Sequence, residues 1–145
     1  MIAVLAVCAQ RQRTICAGGR AGVGHRERVT FDIRRAGPDE PAVAEPGSVI
    51  RAVAADVLAG EPISLVALGF HAAVTAVMVD LAELARERTG LERVALAGGV
   101  FQNALLLEQA QQALTDRGFT VLRPRLLPPN DGGIALGQIL VGASA

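Results

Sequence analysis

Half of the 145 residues are apolar, which predicts one folded domain, and the four Phe without Tyr or Trp indicate an aliphatic core. The formal net charge is zero, but residues 1–35 carry +5 and the remainder −5. Because the Arg residues of the first segment are not interleaved with aromatic residues, we expect no nucleic-acid partner. The two Cys residues form neither a zinc-ligand pattern nor a disulfide framework, so we expect a cytoplasmic protein. Charges or Gly interrupt every apolar stretch, so we expect no membrane span.

The first 28 residues combine a short apolar start with Arg and Gln residues. They contain a glycine-rich run in which Gly19 and Gly24 have the spacing of a phosphate-binding loop. His25 and Arg26 stand where such a loop requires Lys and Ser or Thr. We therefore interpret residues 1–28 as an unassigned, flexible head and predict that the folded region is 29–145.

The folded region begins with a short strand and a helix. Residues 29–33 alternate in polarity like a strand, and residues 36–47 read as a loop rich in Pro and Gly. Ser48 is expected to cap a helix that runs to Ala59, and Gly60 is expected to end it.

A long amphipathic helix is predicted from Pro62 to the stop at Gly90. Its apolar residues recur at spacings of three and four and form one stripe: Val66, Phe70, Val74, Val77, Leu81 and Leu84. His71 lies beside this stripe. Because a lone helical His is more often a boundary residue than a ligand or a base, we assign it no role.

Two strands and two helices complete the prediction. Residues 94–97 are apolar on both faces, as in a central parallel strand, and a helix follows through Asp116. Residues 119–122 form a second strand, and Asp131 opens a last helix that ends at about Val141. The order helix–strand–helix–strand–helix predicts an α/β domain with a parallel sheet.

The segment from Gly98 to Asn103 follows a predicted strand and opens a helix, which is where open α/β sheets bind ligands. Gly98 and Gly99 have no Cβ to keep a phosphate or sugar from the backbone, and the helix N-terminus offers unpaired N–H groups. The Asn103 amide suits ribose hydroxyls or a base edge. The alternative is a tight turn whose glycines serve only packing.

A second candidate segment, residues 128–133, places Asp131 at a helix start between prolines and glycines. Asp is a preferred helix N-cap, and capping alone would explain the residue. A ligand-binding role requires a metal, because a bare carboxylate repels phosphates.

Residues 94–103 read Val-Ala-Leu-Ala-Gly-Gly-Val-Phe-Gln-Asn and resemble the Gly-Gly-Val-Phe-Gln-Asn segment of the hydrogenase-maturation carbamoyltransferases, the HypF family. Residues 127–138 contain Pro-Pro-Asn-Asp-Gly-Gly and are similar to the terminal motif of that family. The separation of the two motifs and the upstream Gly-Phe-His at residues 69–71 also fit. The resemblance covers about residues 29–145.

The resemblance implies that residues 29–145 are the C-terminal lobe of a carbamoyltransferase-like domain, a strand–helix–strand–helix unit of an actin-like ATPase (ASKHA-type) fold with a mostly parallel sheet. This family activates carbamoyl phosphate with ATP to carbamoyl-adenylate and passes the carbamoyl group to the C-terminal Cys of a partner maturation protein, where dehydration yields the cyanide ligands of nickel–iron hydrogenase. By resemblance, Gly98, Gly99 and Asn103 line the nucleotide site, and Asp131 binds a divalent metal near the phosphates. No catalytic residue is assigned.

The enzymes of this family are several times longer, and the lobe that carries their metal-binding histidine cluster has no counterpart in this sequence. A cleft built by two lobes cannot orient the reacting groups with one. We therefore expect no carbamoyl transfer from the chain alone, and activity only when the missing N-terminal lobe is supplied in cis or in trans. The alternatives are a non-catalytic module that binds a nucleotide or a partner, and a folded remnant without function.

Overall fold

The computed structural model describes residues 29–34, 41–127 and 130–144. The predictions for the head (residues 1–28), for its glycine-rich run and for Pro128 and Pro129 lie outside the described residues. The elements, in chain order, are β1 (Asp32–Arg34), β2 (Val43–Glu45), α1 (Gly47–Leu58), α2 (Ile63–Thr89), β3 (Arg93–Ala95), a 3-10 turn (Gly99–Gln102), α3 (Ala104–Asp116), β4 (Thr120–Leu122), a second 3-10 turn (Asp131–Gly133) and α4 (Ile134–Ala143).

The strands pair in two small sheets, so the fold is mixed α/β. β3 and β4 are parallel, with Val94 opposite Val121, as the sequence predicts. β1 and β2 are antiparallel, with Ile33 opposite Ala44. β2 lies in the segment predicted as a loop, so that prediction was wrong at Val43–Glu45. The predicted mostly parallel sheet is therefore present only as the β3–β4 pair of the described strands.

Helix α2 is the central element because it packs on two sides. On one side, Ala73 packs with Val29, which precedes β1, and with Val49 of α1. On the other side, Val79 belongs to the larger cluster, which also contains Leu96, Phe101, Ala110, Leu114 and Phe119. The predicted apolar stripe includes only some of the buried residues of α2, because His71, Thr75 and Val79 are also buried and lie outside it.

By length and composition alone, α2 could cross a membrane, although the sequence prediction excluded such a stretch. The helix runs without a break through Gly69 and Asp80. Its two packed sides are typical of the core helix of a globular domain.

Two glycines predicted to end helices do so, whereas the cap predicted for α1 was wrong. Gly90 ends α2 in the left-handed conformation at φ 70°, and Gly118 has φ 81° after α3, as expected of helix-stop glycines. The predicted cap of α1 was wrong, because Pro46 occupies the N-cap and the Ser48 hydroxyl donates to the Thr30 carbonyl at 2.8 Å. Ser48 thereby ties α1 to the chain before β1.

Helix α4 contains no buried residue. Its large apolar side chains are exposed to solvent, Ile139 by 65%, Leu140 by 59% and Val141 by 73%. Leu122 on β4 is also half exposed, at 51%. The carboxyl end of the β3–β4 sheet is therefore followed by an apolar helix that no described element covers.

Candidate functional site

The loop from Gly98 to Asn103 connects the carboxyl end of β3 to the start of α3. Gly98 has φ 107° and ψ 159°, a conformation that L side chains rarely adopt. Its carbonyl accepts a hydrogen bond from the Phe101 N–H at 3.1 Å, and the Phe101 side chain is buried in the larger core cluster. The backbone of the loop is thus fixed by a glycine at one end and an aromatic anchor in the middle.

The loop leaves open space beside its glycines. A Cβ built at Gly98 or at Gly99 would meet no heavy atom within 4 Å, and Gly99 is exposed. The backbone at these positions can therefore be approached closely by another molecule. The first N–H groups of the following turn and of α3 lie at the same end of the sheet, where the helix dipole favours an anion.

Asn103 is the N-cap of α3. Its Oδ1 accepts a hydrogen bond from the Leu106 N–H at 3.2 Å, which satisfies one of the helix N-terminal donors. The side chain is buried, with 5% exposure. Asn103 therefore shapes the loop from beneath, while Gly98 and Gly99 form its accessible part. The nucleotide-binding role assigned to these three residues stays a prediction.

His71 lies beneath the loop and contacts Asn103. It is 1% exposed, so its interpretation as a boundary residue was wrong. Its Nδ1 is 2.7 Å from the Ala67 carbonyl oxygen, and its Nε2 is 2.8 Å from Asn103 Nδ2. The helical spacing around His71 could not predict this burial, because the partner residue lies 32 positions further along the chain.

Asp131 opens the second 3-10 turn, and its side chain is exposed. The capping interpretation of this residue was wrong, because the cap is Asn130, whose Oδ1 accepts from the Gly132 N–H at 3.0 Å. Within the described ranges the Asp131 carboxylate has no hydrogen-bond or ion-pair partner. It is therefore available as a ligand of the metal that the family resemblance implies.

The described residues do not by themselves form a metal site. In the part of the chain that the structure describes, there is no group of three or more His, Cys, Asp or Glu side chains that could hold a metal ion. Asp131 could supply one carboxylate, and a stable site for a divalent cation needs further ligands. The metal-binding role of Asp131 stays a prediction.

A groove of about 540 Å³ lies between α2 and α3, away from the loop. Ala72, Ala76, Asp80, Gln112 and Arg117 are among its lining residues. None of the predicted site residues lines it, and sequence reasoning gave no signal for it. The loop at the end of β3 remains the candidate functional site because it combines accessible backbone with a helix N-terminus.

Comparison with known proteins agrees with the motif resemblance. The family model described as the carbamoyltransferase, Kae1-like domain, second subdomain, matches residues 17–138. The chain belongs to this family. The match begins within the segment interpreted from sequence as a head and includes both motifs that carry the resemblance.

Relatives of this second subdomain include two proteins named carbamoyltransferase HypF. The protein from Synechocystis sp. is 43% identical over 82 residues, which cover 57% of this chain and 10% of that protein. The protein from Rhodobacter capsulatus is 37% identical over 110 residues, or 74% of this chain and 14% of that protein. The chain therefore matches only a small part of its relatives.

A solved structure agrees with the fold. The crystal structure of full-length HypF in the phosphate- and nucleotide-bound form matches with a TM-score of 0.74 and 35% sequence identity. The match covers 81% of this chain and 15% of that one. The mixed α/β arrangement is therefore that of a segment of HypF.

Proposed function

We propose that this chain is the second-subdomain part of an ATP-dependent carbamoyltransferase, which supplies carbamoyl groups for the cyanide ligands of nickel–iron hydrogenase in the cytoplasm. The observation that carries the proposal is the family match over residues 17–138, which includes the glycine loop at the end of β3. The names of the HypF relatives support the carbamoyl chemistry.

In this proposal the loop binds ATP through its backbone. The N–H groups near Gly98 and Gly99 donate to phosphate or ribose oxygens, and the absence of Cβ atoms allows the close approach. Asn103 keeps the start of α3 in place through its bond to Leu106. Asp131 supplies one carboxylate to a divalent cation, and the other ligands come from outside the described residues.

The proposal also requires the first lobe, in cis or in trans. Two features support this requirement: the apolar side chains of α4 are exposed, and no heavy atom of the described residues beyond its chain neighbours lies within 4 Å of a Cβ built at Gly98 or Gly99. An open half-site cannot exclude water or orient a carbamoyl donor against its acceptor. The chain alone is therefore inactive, and the complete enzyme transfers the carbamoyl group to the C-terminal Cys of a maturation protein.

The test is complementation with the remainder of a relative. The HypF protein of Rhodobacter capsulatus, lacking the segment matched here, is mixed with this chain, carbamoyl phosphate, ATP and the acceptor protein. We expect carbamoylation of the acceptor Cys, measured by intact-protein mass spectrometry, in the mixture and not with either part alone. Asp131→Asn should abolish the activity, whereas Glu108→Gln, at an exposed position on α3, should leave it unchanged.

Each result of this experiment separates the proposal from its alternatives. No carbamoylation in the mixture, under conditions in which the intact relative is active, would contradict the split-enzyme proposal. Saturable ATP binding by this chain without activity in the mixture would favour a binding module. Neither binding nor activity would favour a folded remnant.

A further inference from the structure

Three hydrogen bonds connect helix α2 to the start of α3 through two buried side chains. His71 Nδ1 bonds to the Ala67 carbonyl at 2.7 Å, and His71 Nε2 bonds to Asn103 Nδ2 at 2.8 Å. Asn103 Oδ1 then accepts from the Leu106 N–H at 3.2 Å. His71 and Asn103 are 1% and 5% exposed, so water does not readily replace these partners.

The protonation of each atom follows from its partner. The Leu106 N–H can only donate, which fixes the Asn103 oxygen toward α3 and the amide nitrogen toward His71. The amide nitrogen can only donate, so His71 Nε2 must accept with its lone pair. The Ala67 carbonyl can only accept, so Nδ1 must carry the proton. All three hydrogen bonds therefore form only with the neutral tautomer of His71 that carries its proton on Nδ1.

The other tautomer would break this arrangement. With a proton on Nε2, two N–H donors would face each other between His71 and Asn103, and Nδ1 would face the Ala67 carbonyl without a proton. A rotation of the Asn103 amide would relieve the first conflict, but it would turn the amide nitrogen toward the Leu106 N–H and remove the cap. The tautomer of His71 thus determines whether Asn103 can hold the start of α3.

We propose that His71 is a positioning residue for the nucleotide loop: its Nδ1–H tautomer orients Asn103, and Asn103 holds the backbone between Gly99 and Leu106 in the geometry that binds phosphate. This inference rests on the proposed nucleotide-binding function of the loop. His71 acts only through Asn103 and does not touch the nucleotide. The motif containing His71 and the motif containing Asn103 therefore work as one unit.

The tautomer is tested in the unmodified chain by 15N NMR of the histidine side chains. We expect His71 to show a proton on Nδ1 and none on Nε2, with slow exchange because the ring is buried. Detection of an Nε2–H would overturn the proposal. This measurement needs no nucleotide, so it stands even if the proposed function fails.

Two substitutions at His71 separate positioning from packing. His71→Gln places an amide oxygen near the Nε2 position and can still accept from Asn103, whereas His71→Met has similar bulk and cannot serve as a comparable acceptor. We expect His71→Gln to retain the Gly99 amide chemical shift and to bind ATP within about threefold of the unmodified chain. His71→Met should shift that resonance and weaken ATP binding about tenfold, the equivalent of one lost hydrogen bond.

The matched control is Thr75→Val, one helical turn further along α2. Thr75 is buried, and its hydroxyl has no hydrogen-bond partner among the described residues, so its replacement changes the core without reaching the loop. Equal losses of ATP affinity in His71→Gln and His71→Met would overturn the positioning role. If the unmodified chain binds no ATP even when mixed with the truncated relative, the proposed function fails. The Gly99 amide chemical shifts of the His71 variants still test the positioning role in that case.

The Asn103→Asp variant tests the coupling between Asn103 and His71 without a substitution at His71. A carboxylate can still cap α3 at Leu106, but it cannot donate to Nε2. We expect a new Nε2–H signal from His71 in this variant, because a carboxylate oxygen facing Nε2 can only accept a hydrogen bond. An unchanged His71 spectrum would show that Asn103 and His71 are not coupled as proposed.

Discussion

The guanidinium of Arg86 lies 4.2 Å from the centre of the Phe119 ring, and its Nη1 donates a hydrogen bond to the Arg117 carbonyl at 2.9 Å. Arg117 in turn donates to Glu83 Oε1 at 2.7 Å. This hydrogen bond, together with the charges of Glu83 and Asp80, raises the pKa of Arg117 above its ordinary value despite slight desolvation. The last turns of α2 thus fix the turn between α3 and β4.

Arg86→Ala is expected to destabilise the chain by about 1 kcal/mol, because it removes the contact with the Phe119 ring and the bond to Arg117. Arg86→Lys should lose about half as much, since an ammonium group keeps the charge without the planar contact. Urea unfolding followed by circular dichroism measures both. The control is Arg123→Ala at an exposed position after β4, and an equal loss there would contradict the role of Arg86.

Asn103→Ala is expected to destabilise the chain by about 2 kcal/mol. The substitution removes the cap of α3 and leaves the buried Nε2 of His71 without its donor. The neighbouring Gln102 is exposed, so Gln102→Ala should change the free energy of unfolding by less than about 0.5 kcal/mol. Similar losses in the two variants, measured by urea unfolding, would mean that the buried bonds of Asn103 contribute little.

The two glycines of the loop should respond differently to Ala. Gly98→Ala places a side chain at φ 107° and is expected to cost about 1–2 kcal/mol of stability. Gly99→Ala meets no heavy atom within 4 Å and should leave stability within about 0.5 kcal/mol. If the loop binds ATP, Gly99→Ala should nevertheless weaken binding, because the new methyl group occupies the open space. Thermal unfolding and isothermal titration calorimetry test the two effects separately.

The exposed face of α4 predicts self-association of the isolated chain. The double substitution Ile139→Ser and Leu140→Ser should leave the free energy of unfolding within about 0.5 kcal/mol and should lower the average mass seen by sedimentation velocity. Leu114→Ala, in the core, should instead cost about 3 kcal/mol. Unfolding of the double variant would show that α4 packs against the rest of the chain.

The sequence predicted the elements whose signals are local. The apolar periodicity of α2 and its stop at Gly90 placed a helix that the structure gives as Ile63–Thr89. The strand at β3 and the helix after it were likewise predicted from apolar runs and glycines. These elements are specified by neighbouring residues, so a reading of short segments is sufficient to find them.

Three of the failures share a different origin, because each depends on a distant residue. β2 has three residues beside prolines and is defined only by its pairing with β1. Ser48 bonds to Thr30, 18 positions away, instead of capping α1. His71 was interpreted as a boundary residue because a lone helical His usually is one, and its partner Asn103 lies 32 positions further along the chain. The capping interpretation of Asp131 failed for a local reason, because the neighbouring Asn130 caps the turn instead.

If the proposed first lobe covers the exposed apolar side chains of α4, the stability of this chain depends on the concentration of that lobe. A lobe that binds only the folded chain stabilises it by RT ln(1 + [L]/Kd), or about 2.7 kcal/mol at a hundredfold excess over Kd. The melting temperature of the chain would then rise steadily as the complementing lobe is titrated in. In a cell that makes the two parts unequally, the surplus of this chain would be the first material removed by proteases.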